Sequence, residues 1–439
     1  MKPFAREEGG QAIILAALMM MTLLFFVGLA VDAGQLFVAK RTQQEAADSA
    51  AFAGAIVIYK GAQPPSAATT LAAIAQATLV ATMNGYTNGV GNTIVTVNSP
   101  PLSGNYSGDP NHVEVIITRQ IRTALVPAQS VLNPVTARGV GGAESYNNGY
   151  ALIALDTGCT PGAVQVAPNM DIHLYGGGML VNSCAPDSMS GFTAGQDFKI
   201  CPVAGCGANG AFPVDVVGGA SGQFFPAALT VNTGIAPLPD PFAGYPKPPC
   251  PGTPVCSSLP TNSSGYGNTA FAGVWTNTLD GYDLCGGIYI LKGSGLGGDI
   301  GRDTNPSHTD PTTGLPCDGK AFIFNTMTNY PLSGGTCSQI GRNGNHPILL
   351  RPMTTGPYAN FQLYQDAACA VDVQIGGNQD LDAGGTIYVP SATIHMNGNP
   401  ATIDGGQLIA KRLDIQNGNL NITYSAGTAA QPILPRLAE

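Results

Sequence analysis

The chain has 439 residues, of which only 10% are charged, a net charge of −9, and 58 Gly and 34 Pro. An acidic balance of this kind leaves no basic footprint for nucleic acid, and the Gly and Pro content argues against a mainly helical fold. A hydrophobic content of 44% excludes wholesale disorder, because disordered chains lack apolar residues to bury, and the length accommodates two or three domains with their own cores.

Residues 1–10 form a polar stub that carries Lys2 and Arg6. From Ala12 to Val31 only Thr22 and Gly28 interrupt the apolar side chains, and no charge falls between Gly9 and Val31. Twenty helical residues span about 30 Å, the thickness of a bilayer's hydrocarbon core. The segment therefore reads as a single membrane-spanning helix. A cleaved signal peptide is the alternative, but its apolar core runs to about 7–15 residues. Here the run is longer and continues as helix through Lys40 and Arg41. Basic residues flank the span almost evenly, so they assign no orientation. The ten cysteines do: Cys159, Cys184, Cys201, Cys206, Cys250, Cys256, Cys285, Cys317, Cys337 and Cys369 all follow the span. An even number in a Gly/Pro-rich chain indicates disulfides and an oxidising compartment. Cys201 with Cys206, and Cys250 with Cys256, are spaced to close small loops; the pairing itself is not readable.

The helix is expected over residues 11–59, roughly 70 Å long. Beyond the span, Ala46, Ala50 and Gly54, and likewise Ala47, Ala51 and Ala55, recur every four residues. Such stripes either permit close packing against a neighbour or are high-propensity filler. Gln63-Pro64-Pro65 ends the helix, Ser66 caps a second one reaching Met83, and Asn84-Gly85 stops it. Alternating runs at 93–97, 113–118 and 131–140 read as strands. Residues 60–145 thus form a small pilin-like α+β region.

These residues carry a resemblance. Gly10-Gln11-Ala12-Ile13, the apolar run, Gly28-Leu29-Ala30-Val31-Asp32-Ala33-Gly34, and Gln44-Glu45-Ala46-Ala47-Asp48-Ser49-Ala50-Ala51-Phe52-Ala53-Gly54-Ala55 resemble the TadE/TadG-like proteins of tight-adherence (Flp) pilus systems. The resemblance implies a single-pass protein of the bacterial cytoplasmic membrane with its bulk extracytoplasmic, and partners among pilus-assembly or envelope proteins. It also shows a departure. Prepilin-type substrates carry Glu at the fifth position after the processing Gly; after Gly10 that position is Leu15. An unprocessed N-terminus and an accessory role, rather than a place in a pilus shaft, are expected.

Residues 150–430 differ in texture, with short apolar runs separated by Gly and Asn. Gly384-Gly385-Thr386-Ile387-Tyr388-Val389 through Ile394 to Asn397-Gly398-Asn399 aligns with Gly405-Gly406-Gln407-Leu408-Ile409-Ala410 through Ile415 to Asn417-Gly418-Asn419, at an offset of 20–21 residues. Cys285-Gly286-Gly287-Ile288 and Gly177-Gly178-Met179-Leu180 echo the element. A period near 20 suits the coils of a right-handed parallel β-helix, each buried only against its neighbours; an antiparallel sandwich is the alternative. Residues 237–283 and 299–345 read as loop insertions, the first opening on nine prolines between Pro237 and Pro260, and 431–439 as a tail.

Chemistry is sparse. The five histidines, His112, His173, His308, His346 and His395, sit in no metalloprotease, hydrolase or nucleotide-binding motif. Asp380 and Asp382 share a strand face, as an acid/base pair or a Ca²⁺ site requires; a solvated strand edge is the plainer reading. Asp299, Asp303 and Asp310 are the other weak metal candidates, for structural Ca²⁺. Trp275 with Tyr266, Phe271 and Tyr282 suits a carbohydrate platform or a buried cluster beneath the Pro-rich segment. The expectation is a non-enzymatic, cofactor-free, membrane-anchored structural protein for pilus assembly or surface attachment, with a membrane-tethered carbohydrate-binding or carbohydrate-active β-helix, facing a surface glycan, as the alternative.

Overall fold

The computed structural model describes residues 9–61, 65–123, 132–145, 149–168, 170–204, 212–250, 266–297, 299–341, 343–344, 348–377, 381–398 and 401–438. The chain divides into two compact units, Met1–Tyr146 with Ile433–Glu439, and Asn147–Pro432.

The first unit is built on α1 (Gly9–Lys60). Its first half exposes apolar side chains from Ile13 to Val31. Its second half buries both small-residue stripes, Ala46, Ala50 and Gly54, and Ala47, Ala51 and Ala55. Close packing, not filler, is therefore what the alanines serve. α2 (Ala67–Met83) begins at Ser66, whose hydroxyl accepts from the Thr69 N–H at 3.2 Å. It packs on α1 and buries Ala73, Ala77 and Ala81. An antiparallel sheet covers another side of α1: β1 (Thr93–Asn98), β2 (His112–Arg122), β3 (Leu132–Ser145) and, beside β3, the C-terminal strand Ile433–Leu437. Within residues 431–439, expected as a tail, Ile433–Leu437 thus returns to the first unit and pairs Ile433 with Ser145 through Leu437 with Gly141. Pairing satisfies backbone groups that a free tail leaves to water.

The second unit is a large β-rich region of parallel sheets. One sheet runs Val231–Thr233, Val214–Val216, Gly178–Val181, Tyr150–Ala154, Leu408–Asn417, Thr386–Gly398, Phe361–Gln365, Ala321–Thr326, Gly287–Lys292, Gly273–Trp275. A second runs from Thr269–Ala270 through Leu381–Gly384, Ala401–Asp404, Leu420–Thr423 and Ile172–Tyr175 to Phe198–Cys201. The Gly-Gly elements at 177–178, 286–287, 384–385 and 405–406 all lead into strands of the first sheet. A Cβ on Gly406 would lie 1.6 Å from the Gly385 carbonyl oxygen, so the two Gly-Gly elements touch backbone to backbone there.

Two features depart from the sequence reading. The strands do not pair in simple chain order: Leu408–Ala410 pairs with Leu152–Ala154, so the last strand of the first sheet in the chain lies against the first. The register also shifts. Ile387 pairs with Leu408 as aligned, but Ile394 pairs with Leu413 and Met396 with Ile415, because the strand bends between Val389 and Thr393. A two-residue slip preserves the face of a strand, so Ile394 and Ile415 remain buried in the interior with Ile387, Val389, Leu408, Leu420 and Ile422. Ile409 is also buried, but on the opposite face of the first sheet.

The expected insertions contain strands. Thr269–Ala270 and Gly273–Trp275 fall within 237–283 and Tyr282–Leu284 straddles its end, while Ile300–Arg302 and Ala321–Thr326 fall within 299–345; all belong to the parallel sheets. Trp275 is 3% exposed and packs in the interior, its indole N–H donating to the Phe271 carbonyl at 3.1 Å, in a different cluster from Phe242 of the Pro-rich segment.

The described part of that segment, residues 237–250, is a strap. The Asn182 amide donates to the Leu238 carbonyl at 2.7 Å and accepts from the Leu238 N–H at 3.1 Å. Farther on, Tyr388 Oη donates to Asp240 at 2.6 Å, Phe242 packs on Phe361 and Tyr388, Lys247 meets Asp366 at 2.7 Å, and Tyr330 Oη donates to the Pro248 carbonyl. These anchors cross the first sheet in strand order. Seven strand spacings from Val231–Thr233 to Ala321–Thr326 amount to roughly 34 Å, within reach of roughly 15 residues at the ~3.1 Å rise of polyproline II. The strap is needed because the chain finishes one end of the stack at Thr233 and resumes at the other.

Three disulfides join nearby turns of the second unit: Cys159–Cys184, Cys285–Cys317 and Cys337–Cys369. Cys201 and Cys250 are also disulfide-bonded; Cys206 and Cys256 lie outside the described residues.

Candidate functional site

In the first unit the functional element is α1. Its apolar window, near the N-terminus, is long enough to cross a membrane and is 0% buried within the protein. Exposing so many large apolar side chains to water is unfavourable by about 25 cal/mol per Å²; lipid removes that cost. Thr22 returns its hydroxyl to the Leu18 carbonyl at 2.7 Å, so its polar atom is satisfied inside the helix.

In the second unit the most built polar surface is the outer face of the second sheet. Its strands alternate inward Leu, Ile, Phe or Ala with outward polar residues. Parallel pairing then stacks Asp382, Thr402, Asn421, His173 and Lys199 into one column. His173 is held on both ring nitrogens, by Asn421 at 2.9 Å and Asp197 at 3.1 Å. Lys199 hydrogen-bonds Asp197 and holds its carboxyl below the usual range, with help from His173 against the effect of burial. Tyr175 lies beside His173, ring centroids 6.0 Å apart. Such a column offers donors and acceptors at strand spacing to a polyhydroxylated ligand. A second column repeats the device: His395 meets Asp414 at 3.0 Å and Asp372 at 3.4 Å, from the coils on either side.

The carboxylates singled out from sequence do not converge. Asp382 forms a two-point ion pair with Arg351, at 2.9 and 3.1 Å; Asp380 lies outside the described residues. Asp303 accepts from the Thr269 hydroxyl and meets His308 at 2.6 Å; these bonds outweigh burial and lower its pKa. Asp310 accepts the Thr312 N–H at 2.7 Å. Asp299 and Asp303 instead act on Asp283, whose carboxyl is raised by burial and by those two like charges. Among the described residues no group of three His, Cys, Asp or Glu side chains is arranged to hold a metal ion. His346 is outside the described residues.

The two histidine columns escaped sequence reasoning. Asn421 and His173 are 248 residues apart and meet only because Leu420–Thr423 pairs with Ile172–Tyr175; the alternation of Ile172-His173-Leu174-Tyr175 with Leu420-Asn421-Ile422-Thr423 was the available signal.

No curated protein and no solved structure matches the chain. Residues 10–57 match the family model described as Putative Flp pilus-assembly TadE/G-like. The match covers nearly all of α1, the exposed apolar window and the buried alanine stripes together. Over that N-terminal segment the chain is TadE/TadG-like.

Proposed function

We propose that this protein is a membrane-anchored structural component of a Tad-type (Flp) pilus assembly or surface-attachment system, with the apolar half of α1 in the bacterial cytoplasmic membrane and the chain that follows it outside the cytoplasm. The coincidence of the TadE/G-like match with the one exposed apolar helix carries the reading. The disulfides support the orientation, since such bonds persist in oxidising compartments. In this reading the second unit is a parallel β-helix stapled by disulfides and strapped along one face, and it acts by presenting surface rather than by catalysis. A reporter that matures only in an oxidising compartment, fused after Glu439, is expected to be active; activity of a cytosol-only reporter there would refute the orientation.

The second reading is glycan binding by the His173 column, favoured by its mixture of Asp, Thr, Asn, His and Lys with Tyr175 alongside. Its carboxylates are tied to Arg351, His173 or Lys199, an arrangement that suits binding better than acid/base chemistry. Retention of the extracytoplasmic chain on immobilised envelope polysaccharide, lost in His173→Ala and Asn421→Ala, tests it; release of reducing sugar would point instead to a hydrolase.

A further inference from the structure

We propose that the end of the first unit nearest the membrane helix is itself a lipid-contact surface, seated on the anionic headgroups of the bilayer that α1 crosses. This rests on the reading of α1 as a membrane span. The geometry follows from α1 as a ruler. Its exposed apolar side chains continue to Phe37 and Val38. One turn later Thr42 hydrogen-bonds the Tyr86 hydroxyl at 3.3 Å, and the Gln43 amide donates to the Val135 carbonyl at 3.0 Å and to the Ile117 carbonyl at 3.4 Å. The opposite end of the unit is marked by Gly54 against Val113, roughly 17 Å farther along the helix.

β2 therefore runs toward the membrane as it leaves Ile117. Five more residues, roughly 16 Å of strand, carry Arg122 and its register partner Leu132 down to the last apolar turns of α1. Arg119 lies on the same stretch, its guanidinium 5.8 Å from the Tyr86 ring centroid. Lys40 and Arg41 follow the exposed apolar turns directly. Four cations thus ring this end of a chain whose net charge is −9. Two carboxylates on α1 stand near them, Glu45, paired with Arg41 at 3.1 Å, and Asp32, which is buried; Asp109 and Glu114 belong to the far end of β2.

Apolar side chains project among these cations. Val90, on the turn between α2 and β1, is 61% exposed, Leu132 is 41% exposed, and Met83, at the end of α2, is 77% exposed. Scattered exposed apolar residues are ordinary on protein surfaces, and Leu71 and Leu102 are such cases toward the far end. The membrane-side group differs in sharing its level with the four cations. Apolar tips at the acyl boundary beneath basic residues at the phosphates is the pattern of interfacial membrane binding. The span holds these groups at high local concentration, so weak individual contacts suffice.

The test uses the full chain in vesicles of phosphatidylethanolamine and phosphatidylglycerol. An environment-sensitive fluorophore is placed on Val90→Cys, with Leu23→Cys in the span and Ser107→Cys in the far-end loop as references. Lipids spin-labelled near the headgroup should quench the Val90 probe, lipids labelled deep in the chain should quench the Leu23 probe, and neither should quench the Ser107 probe. Arg119→Glu with Arg122→Glu, or replacement of phosphatidylglycerol by phosphatidylcholine, should abolish quenching at Val90 and leave it intact at Leu23. Quenching at Leu23 without quenching at Val90 would overturn the lipid contact while sparing the anchor. Shielding of Val90 from both lipid and aqueous quenchers would also overturn it, in favour of a protein partner or a second copy. Absence of quenching at Leu23 would remove the anchor and the proposal together.

Discussion

Gly141 faces the helix so closely that a Cβ there would lie 2.6 Å from the Ala51 carbonyl oxygen, and one on Gly139 2.8 Å from the Ala47 carbonyl carbon. The obstacles are backbone atoms and cannot rotate aside. Gly141→Val is therefore expected to destabilise the first unit by about 1–3 kcal/mol or more, read as faster amide exchange in α1 and β3 with the second unit unchanged. Glu114 is a second residue whose setting decides its effect. Burial alone would raise its pKa, but hydrogen bonds from Ser103, Asn98, Arg138 and the Leu102 N–H outweigh burial and lower it from 4.5 to about 2. The folded state thus favours the carboxylate. That stabilisation is complete above about 4.5 and is lost as pH falls toward 2. Acid titration of stability should show this loss in the native protein and lack it in Glu114→Gln. In the second unit Ile394 is fully buried between Val373 and Leu413. Ile394→Ala should cost about 2–5 kcal/mol, measured by denaturant unfolding, and Ile394→Asp more, because the new charge has no partner. Ile394 was legible as a core residue because alternation reports the face of a strand. Its partner was not, since a bend of a few residues changes register without changing the pattern.

The two helices of the first unit and its strands β1 to β3 were readable because their signals are local: a capping Ser66, an Asn-Gly stop, alternating β-branched runs. The strap is the opposite case. Nine prolines between Pro237 and Pro260 declare that a segment cannot be a strand, but not what it lies on. The covering is recorded in the sheet instead. Val274, Ile290, Phe324, Tyr364, Tyr388, Ile409, Ile153 and Leu180 form one outward column, and all eight are buried. The column turns polar at Asp215 and Asn232, which bond each other at 2.7 Å near the end where the strap departs. Continuous apolar strands, buried on both faces, were thus the sequence's trace of the strap. Phe242 is 1% exposed at its centre. Phe242→Ala should cost about 3–5 kcal/mol, and Tyr388→Phe should remove the donor that binds Asp240. Limited proteolysis should show both variants cleaved sooner within residues 234–250; unchanged cleavage would mean that the flanking anchors alone hold the strap.

At the scale of the whole second unit, the position of a strand in the first sheet is set apart from its position in the chain. The chain starts in the middle with Tyr150–Ala154, builds outward to Val231–Thr233, crosses by the strap, and builds back from Gly273–Trp275 until Leu408–Asn417 closes on the starting strand. In a parallel sheet each strand is held chiefly by its two neighbours. The closing strand joins two separately built halves, whereas a strand near an end supports only what lies beyond it. The same substitution should therefore have different reach. Leu413, fully buried between Ile394 and Val164, sits in the closing strand. Val214, also fully buried, lies between Met179 and Val231, one strand from an end of the first sheet. An unpaired buried carboxylate at either site is unfavourable. Leu413→Asp should expose cleavage sites on both sides of the junction, within residues 150–204 and 361–404. Val214→Asp should confine new cleavage to residues 178–250. Mass mapping of early proteolytic fragments distinguishes the two patterns. Equal spread from both sites would show that the stack unfolds as one cooperative body and that the closing pair holds no special place in it.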